Sequence, residues 1–268
     1  MEFKDILVHV DNSQQCAARL ELSIMLAREH KAHLSGLYVI SHPHYAPQGK
    51  ALELKVQQAK ELFQSITAGA DISAEFLRAD WGVTGDSTAD ILNFYAQRKD
   101  LIIVGQSAQN KPQENVPVDL PEWVVMGSGG PVLVVPYSGT FSSVGERVLV
   151  AWKSGRASAR ALHDAMPFLL KAKEVLVVTV ASSADQQLPD RDGEIRTYLE
   201  RHNITVREEN LETGDVPVAG VLMNYAWEHG CDLLVTGIYA QTTHGSLAVG
   251  PVTKDLFEHM TVPVLMSH

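Results

Sequence analysis

The chain has 268 residues, a hydrophobic fraction of 45%, a charged fraction of 20% and a formal net charge of −10. That length accommodates two domains of roughly 130 residues, each with its own core, and the acidic balance, with no lysine or arginine run, argues against nucleic acid as a partner. No apolar stretch is long enough for a membrane helix, and Met1-Glu2-Phe3-Lys4-Asp5 leads straight into a strand-like segment without a signal-peptide pattern. The only cysteines, Cys16 and Cys231, are expected as buried free thiols in a reducing compartment. Composition therefore points to an acidic cytoplasmic protein with no membrane partner.

Ile6-Leu7-Val8-His9-Val10 is a short, mostly apolar run suited to a parallel strand buried on both faces. Asp11-Asn12-Ser13 follows as a turn with helix-capping residues, and Ala17, Leu20, Ile24, Leu26 and Ala27 give Cys16 to Glu29 an amphipathic face. A strand is expected over 33–40, a loop with His42 and His44 over 41–49, a helix over 50–68 and a strand over 72–77. Thr84-Gly85-Asp86 is expected to open a helix through Arg98, ahead of a fourth strand, 101–104. A linker rich in Ser and Gly, 137–145, leads to a second series: strand 148–152, helix 157–171, strand 175–180, helix 192–202 and strand 204–208. Thr213-Gly214-Asp215 is expected to open the next helix. Strand 233–236, a helix from Pro251 and strand 262–266 close the chain. Alternation of this kind implies βαβ units and a parallel sheet.

The two series are copies. Asp100-Leu101-Ile102-Ile103-Val104-Gly105 corresponds to Asp232-Leu233-Leu234-Val235-Thr236-Gly237, an offset of 132 residues (100 to 232), and Pro131-Val132-Leu133-Val134 keeps that offset to Pro263-Val264-Leu265-Met266. A fixed period of this length marks a duplicated domain rather than a solenoid. The copies are read as 1–138 and 145–268.

This pattern resembles the universal stress protein (UspA-type) family in its tandem form. The motif Val10-Asp11-Asn12-Ser13 is similar to the family's V-D-G-S at the end of the first strand, and the segment after the fourth strand is similar to its G-x2-G-x9-G-[ST] loop. The resemblance implies two tandem Rossmann-like (adenine nucleotide alpha hydrolase-like) α/β domains. Each would hold a five-stranded parallel sheet of order 3-2-1-4-5 flanked by helices. It also implies a loop that wraps ATP phosphates, with the first-strand aspartate beside the nucleoside. Glycines allow close backbone approach and positive φ, and a helix N-terminus favours an anion.

In the second copy Gly237 and Gly250 match the first and third glycines, Ala240 stands at the second, and Pro251 follows Gly250. Alanine at a left-handed position costs roughly 1–2 kcal/mol, and proline removes one N–H donor. Val252 and Thr253 still offer backbone donors. Lys153, after Trp152, replaces the first-strand aspartate. This copy reads as a partly retained site for ATP or another adenine nucleotide, with Gly237, Ala240, Gly250, Val252, Thr253 and Trp152 as binding residues and no metal beyond the Mg that accompanies nucleotide. The first copy keeps Asp11 and Gly105, but Ala108 and Val118 stand where the other glycines belong, in a proline-studded loop.

Simpler readings stand beside these. Gly105 and Gly237 end strands, Trp152 fills a pocket in the core, and Lys153 is a solvated surface lysine. His42 and His44 lack a third metal ligand, His163-Asp164 lies in a helix where neighbours diverge, and His244 is a loop histidine. Met126-Gly127-Ser128-Gly129-Gly130 is not a nucleophile elbow, and no enzyme constellation is found. Three functions are weighed: a nucleotide-responsive stress protein, an interaction module acting through a protein partner that the residues do not identify, and, last because no water-activating group is apparent, a weak ATP hydrolase. If the family picture holds, the last strands of the two copies pair as an internal pseudo-dimer, and a further homodimer is compatible with it.

Overall fold

The computed structural model describes residues 2–40, 49–80, 87–107, 116–181, 193–243 and 246–268. Contacts divide the chain into two compact units, Glu2–Ser142 and Ser143–His268. The helix start expected at Thr84-Gly85-Asp86, Ala108 in the first copy's loop, and the histidines 42, 44 and 244 lie outside the described residues.

In the N domain the strands are β1 (Asp5–Val10), β2 (His33–Ile40), β3 (Ser73–Asp80), β4 (Leu101–Gly105) and β5 (Val132–Val135). They pair in parallel in the order β3-β2-β1-β4-β5. The central runs are apolar without alternation because helices cover both faces; Ile6, Leu7, Val8, Ile102 and Ile103 are completely buried. The helices are α1 (Cys16–His30), α2 (Lys50–Thr67), α3 (Thr88–Ala96) and α4 (Leu120–Gly127). α3 begins at a capping box: Asp90 N–H donates to Ser87 Oγ, and Ser87 N–H donates to the Asp90 carboxylate. Pro121 sits in the first turn of α4, where its missing N–H costs nothing. Part of the proline-studded stretch is therefore a helix start.

The C domain repeats the scheme with β6 (Arg147–Ala151), α5 (Arg156–Asp164), α6 (Met166–Leu169), β7 (Glu174–Ala181), α7 (Glu194–Arg201), β8 (Val206–Glu212), α8 (Val218–Glu228) and β9 (Leu233–Gly237). A hairpin, β10 (Ala240–Thr243) with β11 (Ser246–Val249), precedes α9 (Pro251–His259) and β12 (Val264–Ser267). The main strands run parallel in the order β12-β9-β6-β7-β8, again 3-2-1-4-5 within the domain.

Two expectations are corrected. The helix expected over 157–171 is two, divided at Ala165, because Pro167 removes an amide from the ladder. Thr213-Gly214-Asp215 does not open α8. Gly214 has φ 53°, Val216 N–H closes a turn on Thr213 O at 3.0 Å, and the helix starts at Val218 behind Pro217. Both cysteines are buried free thiols.

Each domain also holds its first strand by an aspartate at the start of its fourth. Asp100 Oδ2 accepts from Lys4 and Asp5 amides at 2.6 and 3.0 Å. Asp232 accepts from the amides of Gly145, Glu146 and Arg147 and from Ser143 Oγ, at 2.7–3.2 Å. No helix among the described residues is long and apolar enough to cross a membrane.

Candidate functional site

In the C domain the site begins where β9 ends. A methyl added to Gly237 would lie 2.5 Å from Ser158 N and collide with the Ala157 carbonyl group, so glycine there lets the first turn of α5 rest directly on the strand. Ile238 follows, buried, with its amide on Ser267 O at 2.8 Å. Tyr239 then turns back over the β6–α5 junction. Its hydroxyl donates to Lys153 O at 3.2 Å and lies where a Cβ on Gly155 would be, 2.6 Å away.

The segment expected to wrap phosphate is instead an antiparallel hairpin. Ala240 pairs with Val249, Gln241 with Ala248, Thr242 with Leu247 and Thr243 with Ser246. Ala240 is extended, so the left-handed backbone that would penalise alanine is not required. The hairpin base is tied by Gly250 N–H to Tyr239 O at 2.9 Å. Gly250 caps α9 with φ −67° and ψ 163°, a conformation open to any residue, and Pro251 follows. Helix geometry leaves the amides of Val252 and Thr253 without intrahelical acceptors. Thr253 is buried and Val252 is partly exposed.

Gly237, Ala240, Gly250, Val252 and Thr253 thus lie along one continuous path at the carboxyl edge of the sheet, where open α/β folds place ligands. Trp152 does not join them through any described contact. Its amide continues the sheet pairing by donating to Val178 O at 2.8 Å, and its side chain lines a cleft with residues of α5 and α7. Lys153 is exposed beside Tyr239.

The corresponding place in the N domain is filled from within. Asp11 follows β1, as expected, but Arg19 of α1 reaches it: Arg19 Nη2 donates to Asp11 Oδ2 at 2.7 Å and Nε to His9 O at 2.9 Å. Ser13 N–H donates to Asp11 Oδ1 at 2.8 Å. Arg19 and His9 are each 3% exposed and Asp11 7%. A methyl on Gly105 would collide with Arg19 Nη1, so this glycine makes room for a guanidinium, whereas Gly237 makes room for a helix backbone. Burial alone would raise the Asp11 pKa, but Arg19, His9 and the Ser13 bonds outweigh it and hold the carboxyl well below the usual range. Burial pushes His9 down to about 4, against the raising pull of Asp11. Asp11 therefore has its charge and one oxygen committed to Arg19 and its other oxygen to Ser13.

Sequence reasoning missed Arg19 and Tyr239. A single arginine among the buried positions of α1, eight residues after the aspartate, was the available sign of the first; an aromatic two residues past Gly237 was the sign of the second.

The universal stress protein family model matches residues 2–136 and again 145–268. The chain belongs to the universal stress protein family. Among solved structures it is similar to a universal stress protein from Archaeoglobus fulgidus, at 16% identity over 98% of this chain and 96% of that one, with a TM-score of 0.72. A protein of unknown function from Pseudomonas aeruginosa matches at 17% identity over 99% of this chain and 92% of that one, with a TM-score of 0.60. A universal stress protein from Archaeoglobus fulgidus solved in complex with dAMP matches at 16% identity over 50% of this chain and 98% of that one, with a TM-score of 0.39. No curated protein matches the chain. Among the described residues no group of three His, Cys, Asp or Glu side chains could hold a metal ion.

Proposed function

We propose that this universal stress protein is a cytoplasmic stress-response protein whose C domain binds an adenine nucleotide, with the N domain as a ligand-free structural partner. The observation that carries the reading is the Tyr239 link. Its carbonyl takes the Gly250 amide and its hydroxyl reaches Lys153 O, which brings the N-terminus of α9 and a lysine to the same edge of the sheet. In this reading the Val252 and Thr253 amides face a phosphate, the α9 dipole favours its charge, and Lys153 supplies a counter-charge. Gly237 acts indirectly, by seating α5. The Gly250 amide is already taken and Pro251 has none, so two backbone donors remain and affinity is modest. The function is binding; no group is assigned to activate water.

Calorimetric titration of the intact chain with ATP, ADP and AMP tests this, alongside Gly250→Val. Saturable binding that Gly250→Val removes, with thermal unfolding unchanged, supports the reading. No binding at millimolar nucleotide overturns it.

A second reading, an interaction module without nucleotide, is favoured by the internally filled N domain and by Trp227 on α8, which is 80% exposed. It predicts that a Trp227→Ala chain loses a protein partner while nucleotide has no effect on either chain.

A further inference from the structure

Within the C domain, α5 and α7 leave a cleft of about 230 Å³ between them, away from α9. Buried Leu162 and Ile195 contribute its apolar lining. Trp152, His163 and Tyr198 contribute three aromatic rings, and the His163 and Tyr198 rings stack at 5.7 Å with 28° between their planes. Among the described residues Glu194, in the first turn of α7, is the one carboxylate on the lining, and no lysine or arginine shares it. Glu194 has no ion-pair partner among the described residues, whereas Arg196, two residues on, is committed to Glu208 at 3.5 Å.

This chemistry selects a cation. Aromatic faces attract positive charge through their quadrupoles, tryptophan most strongly, and aromatic cages recognise alkylated ammonium groups in this way. The Glu194 carboxylate at the same cleft adds attraction of the same sign. A phosphate would meet Glu194 with no lysine or arginine on the described lining to offset it, although Ser154 and the Trp152 indole N–H could donate to an uncharged acceptor. The volume falls below the ~300–1,000 Å³ of sites that hold drug-sized ligands, which restricts the occupant to a small molecule. The protein's net charge of −10 draws cations generally, so specificity must come from the rings.

We propose that the α5–α7 cleft binds a small organic ammonium cation, held against Trp152 and Tyr198 with Glu194 as its counter-charge. The proposal is independent of the nucleotide site.

The test titrates the full chain with choline, and with the neutral alcohol in which carbon replaces its nitrogen, at constant ionic strength. Chemical shifts of the indole N–H groups report binding, with Trp123, Trp227 and Trp81 as internal controls. Saturation by choline at about 1–10 mM is expected, with the neutral isostere roughly three- to tenfold weaker. Glu194→Gln should weaken choline by a similar factor and leave the isostere unchanged, and Gly250→Val should leave choline unaffected. Because Glu194 is exposed, its substitution keeps the fold and decides the matter. Equal binding of the two probes, no saturation, or choline binding insensitive to Glu194→Gln overturns the proposal.

Discussion

Gly105 and Gly237 occupy the same position in the two copies, at the end of the fourth strand, and they solve different problems. In the N domain the absent side chain admits the guanidinium of Arg19, which then neutralises Asp11 in a nearly closed interior. In the C domain it admits the backbone of α5, and the edge of the sheet stays available beside Tyr239 and the start of α9. A glycine retained at equivalent positions therefore does not mean a ligand site retained. The neighbour that takes the space decides whether a site is left.

The largest test of this contrast removes the ion pair. Arg19→Ala leaves Asp11 buried and unpaired, and chemical denaturation should report a loss of about 3–5 kcal/mol; replacing both partners with apolar residues of similar volume should cost much less. A pH titration isolates the same cluster. With a folded pKa of about 4 for His9 against roughly 6.5 unfolded, His9 contributes no pH dependence above about pH 6.5. Between pH 6.5 and 4 the unfolded chain takes the proton first, so stability should fall by up to about 3 kcal/mol, and His9→Leu should flatten that fall. Gly237→Ala should cost about 1–3 kcal/mol through overpacking against α5. Gly105→Ala should cost a similar amount in the parent chain but much less in an Arg19→Ala background, a coupling that Gly237→Ala should lack. The smallest effect is expected at Gly250. Its φ suits any residue and a Cβ would sit 3.4 Å from Tyr239 O, so Gly250→Ala should shift the denaturation midpoint by less than about 1 kcal/mol.

The strands were legible because a parallel sheet covered on both faces demands largely apolar runs without alternation, and 6–10, 101–104 and 233–236 supply them. The duplication was legible from Asp100 and Asp232 onward. The hairpin was not. Its first strand is mostly polar and its second only four residues long, its pairing is local, and Thr243 and Ser246 leave only two residues to connect, so no long apolar run announces it. The plug in the N domain was hidden for another reason: arginine is rarely buried, and a helical pattern places it in solvent unless a partner is known. Asp11 was that partner, yet the pairing depends on α1 lying across the end of β1, which only the packed fold supplies.

The aspartates at the head of each fourth strand carry a further meaning. Asp232 gathers four donors from the residues just before its own domain's first strand and from that strand's first residue. Each copy thus ties its opening twice, first to its second strand through Lys4 O and Glu146 O and later to the aspartate at residue 100 or 232. A C domain excised at Val148 instead of Ser143 would leave that carboxylate without the donors it is placed to receive.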